Sequence, residues 1–169
     1  MKKAYVGIIL AVVIIAGGYF GYSYYNSASN SGNMAIAVAD APVSGNVSAV
    51  YITFSSVALH SNSSGWQNYS LTTQTVNILG LTATNASLLS NISLHAGTYT
   101  MIRLYITKVT VEILGANISF SLQAPFAFIN HPFTVSAHST TEIVIDFNLN
   151  QDLNLNAKIF TPSVGFTMQ

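Results

Sequence analysis

Residues 97–122 read GTYTMIRLYITKVTVEILGANISFSL, and the spacing of their apolar positions decides the fold class. Ile102, Leu104 and Ile106 alternate with Arg103 and Tyr105, and Val109, Val111 and Ile113 alternate with Thr110 and Glu112. Ile118, Phe120 and Leu122 alternate with Ser119 and Ser121. A period of two places each apolar set on one face of a β-strand. A two-residue turn at Thr107-Lys108 would set Ile106 opposite Val109, Leu104 opposite Val111 and Ile102 opposite Ile113. The other face would then hold Tyr105 with Thr110 and Arg103 with Glu112, a cross-strand ion pair worth about 0.2–1 kcal/mol. A second turn at Gly115-Ala116 would set Ile113 opposite Ile118, Val111 opposite Phe120 and Val109 opposite Leu122. Both registers send the same residues inward, and a slip of one residue in either would destroy that agreement.

Outward from this stretch the strand pattern continues. Met34–Ala39 alternates through Ile36 and Val38, and Ala49–Leu59 through Val50, Ile52 and Phe54. Phe133 and Val135 can pair with Ile145 and Ile143 across a loop at His138-Ser-Thr140, and Val76–Leu79 and Ala157–Thr167 read as further strands. Asp40-Ala-Pro42 reads as a turn, Thr84–Ser90 as a short helix around Leu88 and Leu89, and Asn148–Asn156 as an edge strand or a loop. About eight strands, within a range of seven to nine, over residues 34–169 predict an all-β, antiparallel β-sandwich. No internal repeat is evident.

The N-terminal segment is of another kind. Lys2 and Lys3 precede an uncharged run from Ala4 to Tyr25, about 33 Å long as a helix and enough to cross a bilayer core. Tyr19, Phe20, Tyr22, Tyr24 and Tyr25 form an aromatic cluster of the kind found at membrane interfaces. Residues 1–25 are therefore expected to be a transmembrane signal anchor and residues 26–33 a polar linker. Residues 34–169 would be an extracellular domain on a single-pass membrane protein. The alternative is a cleaved signal peptide, with Val6–Ala16 as its apolar region and a small-residue site near Ser27-Ala28-Ser29. The aromatic cluster favours retention, since a discarded peptide has no use for it.

Composition narrows the function. Charged residues are 6% of the chain and formal net charge is zero, while Ser, Thr and Asn make up 50 of 169 residues. The surface is therefore polar but neutral, with no basic patch for nucleic acid. Such a body changes little in charge as pH falls, which suits an acidic habitat. There are no cysteines, so thiol nucleophiles, disulfides and Cys-ligated metals are excluded. No Gly-x-Ser-x-Gly elbow occurs. His60, His95, His131 and His138 lack ligand spacing and read as surface residues. Asp40, Glu142 and Asp146 read as a turn former and strand residues rather than a carboxylate pair. Neither a cofactor nor catalysis is expected.

Six Asn-x-Ser/Thr sequons stand at Asn46, Asn62, Asn68, Asn85, Asn91 and Asn117. Fifteen Asn at this Ser/Thr content give about three by chance, so the excess is twofold. Trp66 sits in a Ser/Asn/Gly-rich stretch that reads as a loop. It reads either as a lid over one end of the sandwich or as a contact for a carbohydrate or partner.

The string Leu94-His-Ala-Gly-Thr-Tyr-Thr-Met-Ile-Arg-Leu104 and the segment Pro132-Phe-Thr-Val through Asp146-Phe-Asn-Leu149 carry a resemblance. With Met34–Pro42 and Val50–His60 they make residues 34–169 similar to the domain-of-unknown-function family 4382, found in exported bacterial and archaeal proteins. That resemblance implies an extracellular β-sandwich and brings no catalytic residues, and the family's usual acidic residues are mostly Asn, Ser and Thr here. In overall character the chain also resembles archaeal thread-type pilins, glycosylated β-sandwiches joined by donated strands. Residues 27–33 lack the alternation a donor strand needs. Met34–Ala39 has it, but also reads as the domain's own first strand. Three functions follow as expectations: an anchored, glycosylated surface or adhesion module, a filament subunit, or a carbohydrate- or ligand-binding surface module. The expected partners are the membrane, further copies of the chain, or surface-layer and filament proteins.

Overall fold

The structure is a computed structural model that describes residues 15–25, 30–40 and 46–168. Residues 15–25 form a helix, α1. Among the described residues no helix is long and apolar enough to cross a membrane. Residues 1–14, which carry most of the expected span, lie outside the described part.

The remainder is two sheets. In chain order the strands are β1 (Ser31–Asp40), β2 (Val47–Ser61), β3 (Gly65–Asn77), β4 (Ser87–His95), β5 (Gly97–Ile113), β6 (Ala116–Leu122), β7 (Phe126–Val135) and β8 (Thr140–Phe147). A one-turn helix α2 (Leu149–Asp152) precedes β9 (Leu153–Asn154), β10 (Ile159–Phe160) and β11 (Val164–Met168). The smaller sheet runs β11-β8-β1-β4 and the larger β3-β2-β5-β6-β10-β9, with β7 paired to the first half of β5. Inward residues of both sheets form one core. Met34, Ile36, Val38, Ile143, Ile145 and Phe147 meet Val50, Ile52, Phe54, Leu59, Leu104, Val109 and Val111 there. Phe54 and Phe147 bridge the sheets at 6.1 Å between ring centroids. Each such side chain contributes about 1.5–3 kcal/mol by leaving water.

The stretch that decides the fold folds differently from the double hairpin. β5 is continuous through Thr107-Lys108 and pairs antiparallel with β2 from Tyr99 to Ile113. Lys108 pairs with Thr53 and Ile106 with Phe54, which leaves Thr107 as a β-bulge. A bulge and a two-residue turn both explain why inward residues jump from Ile106 to Val109, because both reset the in–out parity. Arg103 and Glu112 therefore lie on one strand, about 30 Å apart, and make no pair. Glu112 instead accepts from Ser48 Oγ at 3.0 Å.

The next turn is real but sits one residue earlier. Leu114 (φ 52°) and Gly115 (φ 79°) are its two central residues, as a type I′ turn requires. Val109 pairs with Phe120 and Val111 with Ile118, two residues from the expected register and hence on the same face.

The other expected hairpin also changes. β7 and β8 belong to opposite sheets, so residues 136–139 form an arch between sheets. The arch hydrogen-bonds β1, since His138 N–H donates to Ser31 O and Asn33 N–H to Ser139 O. A Cβ on Gly32 would lie 2.1 Å from the Ser136 carbonyl oxygen, so only glycine fits that crossing.

β1 begins at Ser31, inside the stretch expected as linker, and runs parallel to β8 while pairing antiparallel with β4. The sandwich is thus mixed rather than purely antiparallel. Thr84–Ser90 is not a helix, since β4 starts at Ser87 and Leu89 bulges out of its ladder with β1.

Candidate functional site

The larger sheet's outer face carries the densest group of unusual side chains. Across β3, β2, β5 and β7 the register sets three rows side by side. Trp66, His60, Met101 and Asn130 form the first, Asn68, Ala58, Arg103 and Phe128 the second, and Ser70, Ser56, Tyr105 and Phe126 the third. Val57 and Leu59, which alternate with this set on β2, point into the core. Trp66 is therefore a strand residue on a sheet face, not a loop residue over the sandwich end.

Arg103 reaches diagonally over Ala58. Its guanidinium carbon lies 4.0 Å from the centre of the Trp66 ring, 5.1 Å from Phe126 and 5.9 Å from Phe128. These are cation–π distances. Ala58 points outward yet is only 2% exposed, as expected if the stack roofs it over. His60 braces the indole edge-on at 5.2 Å, with its Nδ1 2.7 Å from Thr100 Oγ1. Tyr105 meets Phe126 edge-on at 5.7 Å. Phe128 remains 43% exposed. Arg103 Nε is buried without a hydrogen-bond acceptor, and among the described residues no carboxylate pairs with the guanidinium. The result is an aromatic platform with a guanidinium at its centre whose buried Nε lacks an acceptor.

The remaining sequence candidates are scattered. His95 ends β4, His138 lies in the interstrand arch with φ 58°, and His131 packs against Phe166 at 4.7 Å. Among the described residues no three of His, Asp or Glu converge as metal ligands. A depression lined by Ser61, Ser63, Ser64, Gln67 and His95–Tyr99 is small and holds no Asp, Glu, Lys or Arg side chain.

Asp40 is buried, and the rest of the turn expected at Asp40-Ala-Pro42 lies outside the described residues. Asp40 is 5% exposed at the end of β1, where Gly80 N–H donates to its Oδ2 at 3.4 Å and Oδ1 has no partner. Burial, reinforced by the charges of Asp146 and Asp152, pushes its pKa up to about 6. Sequence reading missed Asp152, which is 1% exposed in α2. Its Oδ1 accepts from Ser163 N–H at 2.8 Å and Ser163 Oγ–H at 2.5 Å, while Oδ2 is unpartnered. Burial outweighs those bonds and raises its pKa to about 6 as well. Glu142 is half-buried and Asp146 exposed.

All six sequon asparagines are exposed. Asn46, Asn62 and Asn85 lie in bends or turns, and Asn68, Asn91 and Asn117 on strands β3, β4 and β6. Asn85 Oδ1 also accepts from Thr82 N–H and, at 2.8 Å, from Thr82 Oγ1. Asn117 is the last sequon, so β7, β8 and β11 carry none.

No curated protein and no solved structure matches the chain. Residues 31–162, from the first residue of β1 to just before β11, match the family described as Domain of unknown function (DUF4382). With more than three-quarters of its length inside that match, the chain belongs to the DUF4382 family.

Proposed function

We propose that this protein is a non-enzymatic module of a prokaryotic cell surface, held to the membrane by its N-terminal segment and N-glycosylated on its β-sandwich. The observation that carries this reading is the exposure of α1. Ile15, Tyr19, Phe20, Tyr22, Tyr24 and Tyr25 are each 69% exposed or more. Side chains of this size gain about 1.5–3 kcal/mol each on leaving water, so a helix that shows them all needs a non-aqueous or interfacial surrounding. The bilayer interface is that surrounding for a tyrosine-rich segment that follows an uncharged apolar run. The exposure of all six sequon asparagines adds support, since a glycan needs an accessible amide.

Protease shaving of intact host cells tests the reading, with intact mass of the recovered chain. Release of the sandwich, heavier than its sequence by whole glycans, is expected. Survival of the domain on intact cells, with digestion only after lysis, would overturn the surface location. A mature mass that begins beyond residue 26 would replace the anchor with a cleaved signal peptide.

One observation favours a filament as a second reading. β1 is a central strand, seated between β4 and the parallel β8, and it is the first element of the sandwich. A neighbour's β1 would fill the same slot by strand addition. Ala37 and Leu88 are register partners and the chain has no native cysteine. Oxidation of the Ala37→Cys, Leu88→Cys chain on cells would give a ladder of multimers for donated strands, and monomers for a self-filled slot.

A further inference from the structure

We propose that the Trp66–Arg103–Phe128 surface is a saccharide platform whose first occupant is the N-linked glycan on Asn68. The inference rests on the glycosylation reading above and adds a specific resting place for one glycan.

Asn68 and Trp66 are two residues apart on β3 with no bulge between them, so both project from the same face about 7 Å apart. Asn68 is also the direct neighbour of Ala58, the residue roofed by the stack, and Arg103 lies one strand further in the same row. Two strand spacings are about 10 Å, roughly the length of one or two sugar rings from the asparagine amide. The platform therefore begins beside the attachment point.

Its chemistry suits a pyranose. The C–H faces of a sugar ring are apolar and pack on aromatic rings, while its hydroxyl and acetamide oxygens accept hydrogen bonds. Trp66 and the exposed Phe128 supply rings, and the guanidinium between them supplies N–H donors that no carboxylate has claimed. Arg103 is the chain's only arginine, and it is fixed by stacking and not by an ion pair. Phe126, Tyr105 and His60 hold the stack at its margins. None of the other five sequons lies in these three rows.

Trp66 is the only tryptophan, so the platform has its own reporter. The full chain would be purified in detergent from a glycosylating host and, separately, without glycans. Site occupancy would be read by mass spectrometry and access to Trp66 by acrylamide quenching of its fluorescence. With Asn68 occupied, quenching should fall about twofold or more relative to the bare chain, as burial of an aromatic face demands. Asn68→Gln should abolish the protection, and Asn91→Gln on the other sheet should leave it intact. Asn68 occupied with Trp66 equally quenched in both forms would overturn the proposal, whereas absence of glycan mass at every sequon would instead refute glycosylation itself. If Asn68 is bare, the unglycosylated chain would be titrated with chitobiose and with an oligogalacturonate. A shift of Trp66 emission, lost in Arg103→Ala, would assign the platform to a sugar from outside the chain, and no shift would end the proposal.

Discussion

At the residue scale, two carboxyls set an unusual dependence on acid. Asp40 and Asp152 are buried, each with one oxygen unpartnered, and both titrate near pH 6 against an ordinary value of 3.8. A carboxyl whose pKa is raised on folding binds its proton more tightly in the native state. Its stabilising effect is complete below about pH 3.8 and is lost as pH rises through about 6. Chemical denaturation should therefore find the full chain more stable at pH 4 than at pH 7, by roughly 2 kcal/mol per carboxyl. Asp152→Asn keeps an acceptor for Ser163 and should remove about half of that difference. A fall in stability between pH 7 and pH 4 would refute both the assignment and the acid-habitat expectation drawn from composition. That expectation rested on scarcity of charge. Burial of Asp152 was not legible, because nothing local distinguishes it from a solvated loop acid.

At the element scale, β5 is the organiser, since β2 lines one of its edges while β7 and β6 share the other. The Thr107 bulge keeps Ile102, Leu104 and Ile106 on the same face as Val109 and Val111. Deleting Thr107 would turn one half of β5 inside out, so no cooperative unfolding transition is expected for that variant. A cooperative transition near the parent's would show that β5 is not one strand. At Leu114, 81% exposed and at φ 52°, the side chain is at odds with a type I′ turn. Leu114→Asn should raise stability by about 0.5–1 kcal/mol in urea melts, because Asn tolerates that backbone and no core contact is lost. The alternation in β1, β2, β5 and β6 was legible, and so was the inward set. What periodicity could not do was separate a bulge from a turn. β3 was largely hidden because it is an edge strand with one buried residue, Leu71, among polar neighbours. The start of β4 was read as part of a short helix, Thr84–Ser90, because Leu88 and Leu89 are adjacent and the bulge at Leu89 interrupts the strand alternation. The Trp66–Arg103 stack joins residues 37 apart through a third strand, so neither position announced the other.

At the scale of the whole molecule, cohesion comes from two apolar faces and hardly from charge. With five basic and five acidic residues in 169, salt has few interactions to screen. The unfolding temperature should move by no more than about 2 °C between roughly 0.01 and 0.3 M sodium chloride, read by circular dichroism. A larger drop would reveal ion pairs that the described residues do not contain. Two sheets around one core were foreseen. Their mixed strand directions were not, because Met34 finds Thr141 as its parallel neighbour 107 positions later (141 − 34). That pairing fixes a timetable. The earliest strand of the sandwich can meet β4 midway, but its other edge stays open until β8 has been made, so closure of that sheet waits for the tail of the chain. Maturation of such a polypeptide is slow for its size, and the nascent product is vulnerable to stray pairing throughout that wait.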